Sequence, residues 1–341
     1  MRFGLFGSAS AKRGSGEFDS TEGFTDFIEY NVEAEALGFH GTFVVEHHFT
    51  GYGQVSATLN LLTWLGARTK TLRLGTAVMV LPWHNPVLLA EQAATLDLLT
   101  GGRLDLGIGT GYRYNEFVGF DLPMEDAREK FEESISVILK AWTSNEPFSH
   151  KGKFWTFNNI IVEPPSFRKP HPAVWMGAGS ERSIQDVARR GFNLLLGQYA
   201  APEDVGRNIA IFRKAVEEKG EPWDPMRVGV TRAFFVTDDP REVEQALERR
   251  LANRLRQLKL ATTPDGRVLG GPDRADGDPA QININSAIYG SPDVIARKIE
   301  ALREVGAGYL LINGGGSGGG ARGRDSLRRF AREVMPAFVN T

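Results

Sequence analysis

Gly41-Thr42-Phe43-Val44-Val45-Glu46-His47-His48-Phe49 is the stretch that decides the architecture. Its first five residues form a glycine-led, uncharged, β-branched run of strand length. Polar groups then arrive together. In a parallel α/β protein the carboxyl end of a strand is where the backbone leaves the core and where ligands bind. A carboxylate and two imidazoles at such a point speak of chemistry rather than packing. Imidazole titrates near pH 6.5, so it takes or gives a proton around neutrality. Strand alternation sets Glu46 and His48 on one side and His47 on the other, so parity by itself does not choose the acid–base group.

Working outward, short apolar runs alternate with longer amphipathic ones. Strands are expected at Arg2–Phe6, Gly41–Glu46, Leu72–Val80, Leu104–Ile108, Ala173–Met176, Phe192–Leu196, Val228–Val236 and Tyr309–Ile312. Helical periodicity fills the gaps, from Phe24–Leu37 to Ser326–Phe338. Pro202 and Pro240 open first turns, and Gly191, Gly220 and Gly306 close last ones. Eight strands alternating with helices, with no composition break, favour one (β/α)8 TIM barrel over residues 1–341. A doubly wound open sheet is the rival, but Phe6-Gly7-Ser8-Ala9-Ser10 leads into a polar loop, not a glycine-rich helix start.

Three insertions break the rhythm. Ser8–Glu22 follows the first strand, and Glu146–His171, rich in proline and aromatics, has room for an extra hairpin. Lys259–Asn283 is long for a structureless loop and reads as a mobile lid. The run Gly314–Gly320 reads mainly as a flexible link.

Composition narrows the class. The net charge is −2 with both signs mixed, which argues against a nucleic-acid or membrane surface. There is no cysteine, so there is no disulfide framework, thiolate nucleophile or cysteine metal site. The opening apolar run is too short for a signal peptide, and a cytoplasmic location is expected. Adjacent histidines on a strand diverge, and His84, His150 and His171 stand in proline-rich segments; no metal site is expected.

Four ordered segments carry a resemblance. They are Phe43–Thr50; Leu72–Pro82 running on through His84-Asn85-Pro86 to Gln92; Gly102–Gly109 with Glu116-Phe117 and Gly119-Phe120; and Glu333-Val334-Met335-Pro336. Together they resemble bacterial luciferase and the luciferase-like flavin-dependent monooxygenases, along essentially the whole chain. The resemblance implies a barrel that binds reduced FMN (FMNH2) supplied by a separate reductase. It implies that O2 adds to the flavin as a C4a-peroxyflavin, which oxygenates a small organic substrate, and that the protein is a homodimer. An F420-dependent hydride-transfer enzyme on the same fold is the alternative; a non-catalytic partner subunit is a third possibility.

The same resemblance carries roles onto residues. His47 falls at the acid–base position, with Glu46 and His48 beside it. Ala77-Val78 falls where the family has a non-prolyl cis peptide next to the flavin ring. Gly177-Ala178-Gly179-Ser180-Glu181-Arg182-Ser183 aligns with a phosphate-binding stretch, Gly177 and Gly179 giving close approach and Ser180 and Ser183 donating hydroxyls. Ordinary helix capping by Ser180 explains the same residues. Gly109 replaces a cysteine of luciferase, and Thr110 replaces an arginine that pairs with the phosphate. Losing that charge-assisted bond is worth about one to two decades of affinity; Arg113 is the nearby candidate to compensate. Trp83, Phe117 and Phe120 are candidate pocket walls, with core or interface packing the equal alternative, and Arg128 reads as an ion-pair or interface residue.

Overall fold

The computed structural model describes residues 1–11, 21–268, 278–314 and 320–339. In chain order, the strands are β1 Arg2–Gly7, β2 Gly41–Val44, β3 Arg73–Thr76, β4 Met79–Val80, β5 Leu104–Gly109, β6 Phe148–Lys151, β7 Thr156–Ile160, β8 Ala173–Gly177, β9 Asn193–Leu196, β10 Val228–Val236, β11 Ile288–Gly290 and β12 Tyr309–Asn313. The helices are α1 Glu22–Ala36, α2 Thr58–Arg68, α3 Pro86–Leu99, α4 Tyr114–Gly119, α5 Ala127–Thr143, α6 Glu181–Arg189, α7 Pro202–Glu218, α8 Pro240–Ala261, α9 Pro279–Ser286, α10 Pro292–Glu304, α11 Gly320–Arg329 and α12 Pro336–Val339.

Parallel pairing runs β1–β2–β3–β5–β8–β9–β10–β12 and returns from β12 to β1, closing a TIM-like (β/α)8 barrel. The closing register sets Arg2 opposite Tyr309 and Leu5 opposite Ile312. Each barrel strand begins within one residue of a sequence run's start, because β-branched and leucine-rich stretches buried on both faces suit parallel pairing. Inside, Phe43, Trp175, Leu195, Tyr309 and Leu311 pack together. Phe43 meets Trp175 edge-on at 5.3 Å between ring centroids, and each such pair adds about 0.5–1.5 kcal/mol beyond its buried area. Gly75 makes that contact possible: a Cβ there would stand 2.4 Å from the Phe43 ring. The larger core lies between the strands and the surrounding helices.

Several expectations need correction. Leu72–Val80 is not one strand but two, β3 and β4, separated by a cis Ala77–Val78 peptide, with β4 paired to β5. The C-terminal helix expected at Ser326–Phe338 begins at Gly320 and is interrupted by a π-helical stretch at Phe330–Val334. Lys259–Asn283 is not structureless at its ends: α8 runs to Ala261, Thr262 bridges to Val268, and α9 starts at Pro279. The middle of that lid expectation, residues 269–277, lies outside the described residues, as do 12–20 of the first insertion and 315–319 of the glycine run. The hairpin expected in Glu146–His171 is present as β6 and β7, its turn held by Glu133 of α5, which accepts from the N–H groups of Phe154 and Trp155. Among the described residues, no helix is long and apolar enough to cross a membrane.

Candidate active site

The loops leaving β2, β4 and β5 meet at the carboxyl end of the barrel and bring two buried carboxylates to the two histidines. Strand alternation survives past the end of β2, so Glu46 and His48 share one cluster and His47 enters another.

Glu46 is 1% exposed. Its Oε2 accepts from Val80 N–H at 2.7 Å, and its Oε1 from His84 Nε2 at 2.7 Å and His48 Nε2 at 3.2 Å. Burial alone pushes this carboxyl up, but the bonds from His48, His84 and Val80 outweigh it and hold the group below the usual carboxylate range. Glu46 is therefore ionised and tied to the start of α3 and to β4. His84, read from sequence as a loop histidine, belongs to this cluster. The His48 ring then stands edge-on to Phe120 at 4.8 Å and to Trp83 at 5.2 Å. Trp83 reaches Phe117 at 5.9 Å, so the three aromatics proposed as walls do line one another.

His47 has a different partner. Its Nδ1 lies 3.0 Å from Glu116 Oε1, and the same oxygen accepts from the His48 backbone N–H at 2.8 Å. A carboxylate accepts only, so Nδ1 carries the proton and Nε2 is left with the lone pair. Burial pushes the His47 imidazole down, the bond to Glu116 pulls it up, and the charge of Arg113 pushes it down again; the net shift is below the ordinary value. The arrangement is a base with an orienting carboxylate, the pairing that general acid–base chemistry requires.

Glu116 was quoted in the sequence without a role. Its signal was weak because α4 is only six residues long and shows no apolar periodicity, and because sixty-nine positions separate it from His47. Asn115 of the same helix donates toward the carbonyls of His48 and Phe49 at 3.4 and 3.3 Å, fixing the β2 loop against α4.

Thr110 follows β5, and the chain then turns at Gly111 with φ +77°, where a glycine is favoured. Arg113 is the residue before α4. Its nearest carboxylate is Glu116, at 3.9 Å, so it stands with His47 rather than hydrogen-bonded to the Gly177–Ser183 turn. Gly109 packs on Val78, where a Cβ would come within 2.6 Å.

On the other side of β5, β8 ends at Gly177 and α6 opens with a capping box. Ser180 Oγ accepts from Ser183 N–H, and Ser183 Oγ accepts from Ser180 N–H at 3.1 Å. The capping reading is therefore realised. A Cβ at Gly177 or Gly179 would meet nothing within 4 Å, so open space stands over the turn. An exposed helix N-terminus with two hydroxyls and open ground above it fits a phosphate. Arg128, read as an ion-pair residue, pairs with Glu132 at 2.8 Å.

Comparisons with known proteins give the family. The model of the luciferase-like monooxygenase family matches residues 1–308. The chain belongs to that family of oxidoreductase enzymes. It is 26% identical to the oxygenase component of the flavin-dependent trigonelline monooxygenase of Acinetobacter baylyi, over 99% of this chain and 96% of that one. It is 33% identical to a phthiodiolone/phenolphthiodiolone dimycocerosates ketoreductase of Mycobacterium bovis, over 78% and 74% of the two chains. The solved structure of the monooxygenase RslO1 of Streptomyces bottropensis superposes with a TM-score of 0.83 at 25% identity, covering 99% of this chain and all of that one.

Proposed function

We propose that this chain is the cytoplasmic oxygenase component of a two-component monooxygenase that uses FMNH2 from a separate reductase and inserts oxygen into a small organic substrate. The observation that carries the proposal is the His47–Glu116 pair at the carboxyl end of the barrel, its carboxylate buried and its imidazole half-buried. The oxygenase relative, whose name marks it as one component of a system, supports the separate reductase.

Bound reduced flavin would supply the electrons that activate O2. The residues of this chain do the rest. Ser180, Ser183 and the first-turn N–H groups of α6 would hold the flavin phosphate, with Gly177 and Gly179 leaving room for it. Ala77 and Gly109 would offer backbone to the flavin ring, since neither carries a side chain larger than methyl. Glu116 fixes the tautomer of His47, whose Nε2 takes or returns the proton that the reaction moves. Glu46 is a positioning residue: it locks His48 and His84 and anchors β4 through Val80. Thr110 supplies no positive charge, so FMN binding is weaker than an arginine there would give.

A hydride-transfer reading with F420 is the second, and the relative named as a ketoreductase favours its reductive chemistry, without naming the cofactor. Rapid mixing of the protein and anaerobically reduced FMN with oxygenated buffer separates the two. A transient blue-shifted absorbance before oxidised flavin appears is the expected outcome. Direct reoxidation, together with tight binding of F420, would move the assignment to hydride transfer.

A further inference from the structure

Other buried and half-buried arginines among the described residues hydrogen-bond through their guanidinium groups, although the Nε atoms of Arg250 and Arg254 lack acceptors. Arg103 donates to five oxygens of the α2–β3 region and its own loop. Arg73 grips Asp105 with two bonds of 2.6 Å. Arg232 donates to the carbonyls of Gly197, Thr231 and Ala200. Arg254, whose Nε lacks an acceptor, still reaches the Pro279 carbonyl at 3.3 Å and stacks over the Tyr199 ring at 4.4 Å.

Arg113 differs. Its side chain is 5% exposed, and among the described residues it makes no hydrogen bond; Nε and Nη1 are buried donors without acceptors. Glu116 is near as a charge, at 3.9 Å, but its Oε1 is already occupied by His47 and by the His48 N–H. A buried guanidinium with unmade hydrogen bonds is costly, and such a cost persists where a ligand removes it. Guanidinium matches a carboxylate or sulfonate through parallel N–H bonds.

We propose that Arg113 is the anion-recognising residue of the substrate pocket, and that the substrate is a small organic acid, carboxylate or sulfonate, held beside His47. This deepens the proposed function and rests on His47 marking the reacting end of the pocket. It also takes Arg113 away from the cofactor phosphate, whose turn lies beyond β5 on β8 and α6. The gap left by Thr110 is then not filled by Arg113.

The test is titration calorimetry of the flavin-free protein with benzoate, hexanoate and propane-1-sulfonate, each paired with its neutral amide or sulfonamide. At least one anion should bind about tenfold more tightly than its neutral partner, the size expected of one charge-assisted hydrogen bond. Arg113→Gln should abolish that preference while FMN affinity stays within about twofold, and Arg113→Lys, which keeps the charge without the fork, should retain part of it. Wild-type protein that binds no anion better than its neutral partner would overturn the proposal. So would an Arg113→Gln variant that weakens FMN about tenfold with anion preference intact, which would return Arg113 to the phosphate. If Arg113→Gln does not fold, the wild-type preference and its behaviour in Arg113→Lys decide the matter. Failure of the flavin reading shows separately, in rapid mixing, with anion preference unaffected.

Discussion

One oxygen of Glu116 serves both His47 Nδ1 and the His48 backbone, and its bond to His47 opposes the burial that chiefly sets how His47 titrates. Because the folded His47 sits below its ordinary value, it is neutral around pH 7, and a base-dependent rate falls only as pH drops through that lowered value. Glu116→Gln removes the two largest interactions that raise His47, leaving only the charge of Glu46 on that side, and keeps the burial and the Arg113 charge that lower it. The acidic limb of kcat/KM should therefore move further toward acid, and a pH–rate profile that stays put or moves up would remove Glu116 from this role. His47→Ala should cost about 10²–10⁴ in the same rate, the usual worth of a positioned acid–base group. Glu46, His47 and His48 were legible as a run because three polar groups at a strand end are conspicuous. Glu116 and His84 were not, since their importance comes only from what folding sets beside them.

At the scale of elements, strands were easier to read than short helices. Apolar runs such as Tyr309–Asn313 announce themselves, whereas α4 and α9 have six and eight residues and no apolar stripe to announce them. Residues 72–80 read as one strand because the leucines, Thr76, Val78 and Val80 outweigh Gly75 and Ala77; the break lies in the backbone between Ala77 and Val78, which no side-chain pattern reveals. Gly75, within β3, shows the opposite case, a residue whose smallness is required by a neighbour. Gly75→Ala should press on Phe43 and disturb its contact with Trp175, costing about 1–3 kcal/mol, the usual range for overpacking. Urea unfolding followed by tryptophan fluorescence measures this, and an unchanged midpoint would mean that Phe43 has room to move.

For the whole molecule, the alternation of strand and helix was enough to give the barrel, because closure follows from the count of parallel strands more than from any single residue. Association was not readable in the same way. On the surface, α2 exposes Trp64 at 58%, and α3 exposes Leu88 and Leu99 at 55% and 68%. Large apolar side chains so placed are what the homodimer implied by the resemblance would cover. Sedimentation of the wild type should give a dimer, and Trp64→Asp with Leu99→Glu should shift it to monomer; a wild type that sediments as monomer at micromolar concentration removes the dimer. The pairing of β1 with β12 bears on synthesis as well. The strand made first has one of its two neighbours, β2, soon afterwards, yet its other neighbour begins only at Tyr309. At about 5–20 residues per second, a ribosome leaves that edge of β1 without its lasting partner for roughly 15–60 s. For that interval the nascent chain carries an open seam, and whatever shields it from a neighbouring nascent chain protects the yield of the enzyme.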